Sequence, residues 1–176
     1  HKVCSELLRL PDSFVSEDRR SAWKRLMSEL PEIPVEERNG VKVLAPAYLY
    51  KDKQNVENPE LYAIFPYRRY AVGKEGLDLA RNTFANRAVK ETGGWQQNAI
   101  KAACLGLTDE AARLMLQNFN TKNEAFRFPT MWGPNYDWIP DQDHGTVAMS
   151  ALQSMLLQCD GTDIHLFPAW PRNWDV

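Results

Sequence analysis

Apolar residues recur along this chain in short stripes of helical period, and each stripe is cut off by proline, glycine or asparagine. Val3, Leu7, Leu8 and Leu10 fit the end of a helix that Pro11 stops. A second helix is predicted over 16–30, capped by Ser16, acidic in its first turn at Glu17 and Asp18, and burying Trp23, Leu26, Met27 and Leu30 before Pro31 and Pro34 end it. The Asn39-Gly40 turn signal followed by GVKVLAPAYLY predicts a short strand or extended arm over 40–50. A loop over 51–70 follows. Leu77, Leu79, Ala80, Phe84 and Ala85 mark a helix within 74–90. Gly93 and Gly94 then break the chain ahead of a helix over 95–105. Gly106 and Thr108 supply a C-cap and an N-cap, and 109–118, with Ala111, Leu114, Met115 and Leu116, forms the second arm of an αα-hairpin. The last helix is predicted over 145–159, apolar enough at Val147, Met149, Leu152, Met155, Leu156 and Leu157 to be buried on most faces. A short apolar strand comes after it, ending in Pro168, Trp170, Pro171 and Trp174.

Length and charge narrow this picture. The 176 residues suffice for one domain over 1–176 with a real core. No run of about 18 apolar residues occurs, so no membrane span is expected. A net charge of −2 with both signs interspersed gives no basic stripe for nucleic acid and no polybasic membrane patch. The start, HKVCSELLRL, has no signal-like pattern and reads as the middle of something larger. Cys4, Cys104 and Cys159 are too widely spaced for a disulfide framework or a metal knuckle, and buried free thiols are expected.

Candidate chemistry concentrates in 131–176. An aromatic, acidic loop carrying Trp132, Tyr136, Asp137, Trp138, Asp141, Asp143 and His144 leads straight into the last helix. Aromatic rings beside carboxylates suit a sugar: pyranose C–H faces pack on indole or phenol, while Asp and Glu accept hydroxyl hydrogen bonds and act as acid or base at a glycosidic bond. Asp141 is the foremost catalytic candidate, since Asp143 is better placed to cap the helix. His144 either binds a hydroxyl or bonds backbone at the helix start. Trp95, Trp132, Tyr136 and Trp138 are candidate sugar platforms, Trp95 equally a core aromatic. Trp170 and Trp174 are expected to pack rather than touch ligand, and Arg68 and Arg69 to form structural ion pairs with Glu57 or Glu60. Asp141, Asp143, His144 and a loop glutamate also have the donor types of a divalent-ion site, in generic spacing. No metal and no cofactor is expected.

Three blocks in fixed order carry a resemblance: 57–66 (ENPELYAIFP), 94–101 (GWQQNAIK) and 138–174 (WIPDQDHGTVAMSALQSMLLQCDGTDIHLFPAWPRNW). Together they resemble the C-terminal half of the (α/α)6 catalytic domain of glycoside hydrolase family 95, the alpha-L-fucosidase family and its relatives. The family's HLYGLYP-like segment is similar to Glu60 through Pro66, its GWS-x-AWK segment to Gly94 through Lys101, and its Asp-Gly-Asn-Phe-Gly loop with apolar helix and I-x-LLPALP-x-x-W ending to Asp141 through Trp174.

The resemblance implies a mainly α fold, a partial (α/α)6 toroid of helix hairpins, with short β segments near 41–50 and at the C-terminus. It implies an inverting glycoside hydrolase acting on an oligosaccharide or glycan, in a periplasmic or secreted setting. Asp141 falls on the family's catalytic aspartate, which activates the attacking water. Glu60 is the candidate second catalytic carboxylate, and an inverting pair would stand about 6.5–9.5 Å apart. Glu57, Trp95, Gln96, Trp132, Tyr136, Asp143 and His144 become substrate-binding candidates. The family's general acid and its asparagines belong to segments upstream of His1, so the missing N-terminal portion of the same enzyme is an implied partner. A half toroid would also leave apolar faces bare, and self-association or a covering polypeptide is expected. Gln142, Asp143 and His144 replace the family's Gly, Asn and Phe, and Glu57 and Glu60 replace histidines. Such changes alter which hydroxyls are recognised, so a related exo-glycosidase stands beside an alpha-L-fucosidase. A catalytically inactive carbohydrate-binding toroid remains the alternative.

Overall fold

A computed structural model describes residues 1–50, 56–92, 96–120 and 143–174, with Asp143 and His144 described by backbone alone. The protein is mainly helical, with six α-helices and four short strands among the described residues. It divides into two compact units, His1–Pro34 and Val35–Val176.

The first unit is a helix pair, α1 (Lys2–Leu8) and α2 (Glu17–Glu29). Its organising side chain is Arg20. That guanidinium is buried, donates to Leu8 O at 2.9 Å and to Leu10 O, and pairs with Asp12 at 3.0 Å. It thereby satisfies carbonyls that the end of α1 leaves open. Two expectations for α2 are corrected. Ser16 stands at the N-cap with extended backbone but makes no side-chain capping bond. The stripe Trp23, Leu26, Met27 and Leu30 is only half-buried, with Leu26 45% exposed.

The second unit opens with an antiparallel hairpin of β1 (Val35–Arg38) and β2 (Val41–Leu44), Arg38 opposite Val41. Asn39 and Gly40 both have positive φ, 51° and 75°, which a two-residue type I′ turn requires. A Cβ on Gly40 would meet no atom within 4 Å, so conformation rather than space selects glycine there. Val43 and Leu44 are buried, and the Leu44 amide donates to Thr83 Oγ1 at 2.8 Å, fastening the hairpin to α3 (Leu77–Ala85). This helix is shorter than its stripe predicts. Gly73 and Gly76 adopt φ of 81° and 75° before it, and the chain turns at Asn86, so only nine residues are helical.

Helix α4 (Asn98–Cys104) is buried on every residue and packs against both α5 (Thr108–Asn120) and α6 (Asp143–Leu156), which also pack on each other. Alanines at 99, 102 and 103 let the neighbouring helices approach closely. A Schellman motif ends α4: Gly106 at φ 66° donates to Ala103 O and Leu107 donates to Ala102 O, both at 3.0 Å. The αα-hairpin predicted from Gly106 and Thr108 is thus present.

Helix α6 departs from expectation. It buries the stripe Ala148, Ala151 and Met155 but leaves Met149 54% exposed, so α4 rather than α6 is enclosed on all sides. It also ends at Leu156, where β3 (Leu157–Asp160) and β4 (Asp163–Leu166) form a second hairpin instead of a longer helix and one strand. Gln158 explains the switch. Its buried amide donates to Ala103 O at 2.7 Å and Ser154 O at 2.8 Å and accepts from Arg68 at 3.0 Å, anchoring β3 to α4. The opposite face of this hairpin carries Leu157, Cys159, Ile164 and Leu166, all exposed. The buried-thiol expectation therefore fails for Cys159 and holds for Cys4 and Cys104. Trp170 stacks edge-on to Trp174, centroids 5.1 Å apart, and both pack against the core as expected. Among the described residues no helix is long and apolar enough to cross a membrane.

Candidate functional site

A cavity of about 190 Å3 lies where the segment leading into the 3-10 turn Pro59–Ala63 meets the N-terminal end of α4. Its wall includes Glu57, Tyr62, Gln96, Gln97 and Lys101, with Asn58 and Asn98 behind them. Local structure fixes the two asparagines. Asn58 ends the loop ahead of Pro59, and its amide makes a reciprocal pair with the Val89 backbone, 2.9 Å in each direction. Asn98 opens α4 and donates to Val89 O at 3.3 Å and Glu91 O at 2.8 Å. Both amides are buried and committed to holding the strap 87–92. Behind it, Thr92 donates to Asn118 Oδ1 at 3.0 Å.

The remaining polar groups of the wall are Glu57, Tyr62, Gln96, Gln97 and Lys101. Tyr62 donates its hydroxyl to Glu57 Oε2 at 2.8 Å, and burial together with that carboxylate pushes the phenol up to about 12. Gln96 donates to Val56 O at 3.1 Å, leaving its amide oxygen available. Lys101 is 4% exposed, and its ammonium stands 5.3 Å from the centre of the Tyr62 ring. Among the described residues it has no ion pair and no hydrogen bond. Burial brings its pKa down to about 8, against the pull of Glu60 and Glu57, with Arg87 adding to the depression.

Of the sequence-predicted residues, Glu57 and Gln96 come together here. Glu60 is buried at 6% exposure but does not line the cavity; it faces Arg38 at 3.7 Å. Arg38, not Arg68 or Arg69, is thus the partner of that carboxylate. Arg68 reaches Gln158 and Cys104 Sγ instead, and Arg69 lies 5.7 Å from the Tyr70 ring centre. Asp141, Trp95, Trp132 and Tyr136 lie outside the described residues, as do the side chains of Asp143 and His144. Among the described residues no group of three His, Cys, Asp or Glu side chains is arranged to hold a metal ion.

Sequence reasoning overlooked Lys101, Gln97 and Tyr62 as wall residues. One signal was present for Lys101: a single charge inside the apolar run Ala99-Ile100-Lys101-Ala102-Ala103-Cys104-Leu105. On a helix buried all round, that charge must face either a partner or a cavity.

A second cavity, about 360 Å3, is bounded by Phe84, Arg87, Lys90, Leu107, Glu110 and Arg113. Its buried cation is engaged at both terminal nitrogens, although its Nε has no hydrogen-bond partner. Arg87 donates to Phe84 O at 2.7 Å, Lys90 O at 3.2 Å and Glu110 at 3.0 Å, and lies 3.7 Å over the Phe84 ring.

No protein-family model and no curated protein matches the chain.

Proposed function

We propose that this chain forms part of an inverting glycoside hydrolase of the alpha-L-fucosidase-like or a related exo-acting type, and that the cavity at Lys101 is one of its sugar subsites. The observation that carries the reading is the composition of that wall: a carboxylate–phenol pair, two side-chain amides and an ammonium around a space of about 190 Å3. This is smaller than the roughly 300–1,000 Å3 of drug-sized sites and suits one small polyhydroxylated ligand. Ring hydroxyls would donate to Glu57 and accept from the amides and Lys101. In the same proposal the packed helices α4, α5 and α6 belong to a partial (α/α)6 toroid. Asp141 serves as the water-activating base, as the resemblance implies.

A second reading, a carbohydrate-binding protein without turnover, is favoured by one fact. Glu60, the described carboxylate put forward for catalysis, is buried against Arg38 rather than open to the cavity. Hydrolysis of aryl fucosides, galactosides and arabinosides by the full-length protein, beside Asp141→Asn and Glu57→Gln, separates the two. Turnover lost in Asp141→Asn supports the hydrolase. Glycan binding by calorimetry with no turnover supports the binding protein. An absence of both sinks the sugar reading.

A further inference from the structure

The cavity holds a charge that its own wall leaves unanswered. Lys101 is buried to 4% exposure, yet among the described residues no carboxylate comes within 4.0 Å of its ammonium and no acceptor takes its hydrogens. A desolvated cation in that state is costly unless something pairs with it. Glu57 and Glu60 stand near enough to act on it through space and too far to bond it. Each is occupied elsewhere, Glu57 by the Tyr62 hydroxyl and Glu60 beside Arg38. The Gln97 side chain, on the same wall, also makes no hydrogen bond among the described residues. The wall therefore offers an unmatched cation beside donors and acceptors suited to hydroxyls.

We infer that the ligand of this cavity is a sugar bearing an anionic substituent, a uronate carboxylate or a sulfate ester, whose charge seats against Lys101 while its hydroxyls meet Glu57 and the Gln97 amide. The inference rests on the sugar reading and sharpens it to a substrate class. A neutral sugar offers the ammonium hydroxyl acceptors without a counter-charge, whereas an anion converts an unpaired buried charge into an ion pair with charge-assisted hydrogen bonds. A hydroxyl-bearing anion also satisfies both signs of the wall at once, because Glu57 accepts what the hydroxyls donate.

The test is calorimetric titration of the full-length protein with three sets of methyl glycosides: glucoside and galactoside, the corresponding hexuronates, and the corresponding 6-sulfates. The expected result at pH 6.5 is a preference of roughly 10- to 100-fold for the uronates or for the sulfates over their neutral parents. Whichever set is preferred identifies the anion. That preference shrinks as the pH is raised from 7 to 10 and disappears in Lys101→Met, while weak binding of the neutral sugars persists. Equal affinity for neutral and anionic sugars in the wild type overturns the inference and leaves the sugar subsite standing. A preference surviving in Lys101→Met overturns it too. Failure of every sugar to bind overturns both. The wild-type comparison needs no variant, so a folding defect in Lys101→Met would not shield the idea.

Discussion

Among the described residues of the second unit two cations are buried, Arg87 at 5% exposure and Lys101 at 4%, and they differ in their partners. Arg87 spends its guanidinium on two carbonyls, a carboxylate and the face of Phe84. Among the described residues Lys101 has only the Tyr62 ring beneath its ammonium, 5.3 Å to the centroid, and two carboxylates out of reach. Burial of charge by itself therefore says nothing about function. What separates a structural cation from a binding one is whether its charge has a counter-ion once the fold has taken its share, as Arg87 does in Glu110. Each cation lines a cavity, and the larger of the two belongs to the one that has a carboxylate partner. Size is accordingly a poor guide here, and a buried charge without a counter-ion is the better one.

The contrast breaks first at Arg87. Arg87→Ala strips donors from Phe84 O and Lys90 O and should cost about 2–4 kcal/mol in urea unfolding. Little of that comes from Glu110, which keeps Arg113 at 2.8 Å and 2.9 Å. A loss below about 1 kcal/mol would mean that Arg87 is not the strut described. Next is the pair that shapes the Lys101 wall. Tyr62→Phe removes one half-buried hydrogen bond to Glu57, worth about 0.5–1.5 kcal/mol. Glu57→Gln should bring the Tyr62 phenol down from about 12, visible in its ultraviolet titration. An unmoved phenol would show that Glu57 does not act on it.

The smallest effect at neutral pH is expected for Lys101→Met, within about 1 kcal/mol of wild type or slightly stabilised, because no partner is orphaned. Its signature is instead in pH. Folded Lys101 titrates at about 8 and an ordinary lysine at 10.5, so between those values the unfolded chain holds a proton that the folded chain has lost. Wild-type stability should therefore rise relative to Lys101→Met as pH climbs from about 8 to 10.5. Parallel curves for the two proteins would refute the assignment.

Local rules made part of this structure legible. The Asn39-Gly40 turn and the Gly106 helix stop are backbone conformations that few residues adopt, and both were readable as such. Helix α5 carries its apolar stripe over nearly the predicted length. Strand β1, Val-Glu-Glu-Arg, was not legible, since three charged residues show no alternation and the strand exists only because the turn pairs it with β2. The end of α6 was missed because Gln158 pins β3 through contacts with Ala103 and Arg68, 55 and 90 residues away. At the site, Glu57 and Gln96 were readable from their loop and segment, but the burial of Glu60 depends on Arg38 arriving from β1. Lys101 stood out only as a lone charge in an apolar run, and its surroundings depend on Glu57 and Tyr62 arriving from a segment about 40 residues earlier.

Lys101 is desolvated at a cavity wall and has no counter-ion among the described residues. Carbon-13 NMR of the lysine ε-carbons, with the Lys101 resonance identified by its absence in Lys101→Met, reads this directly. A midpoint near 8 is the predicted result. Titration at the ordinary lysine value of about 10.5 would contradict it.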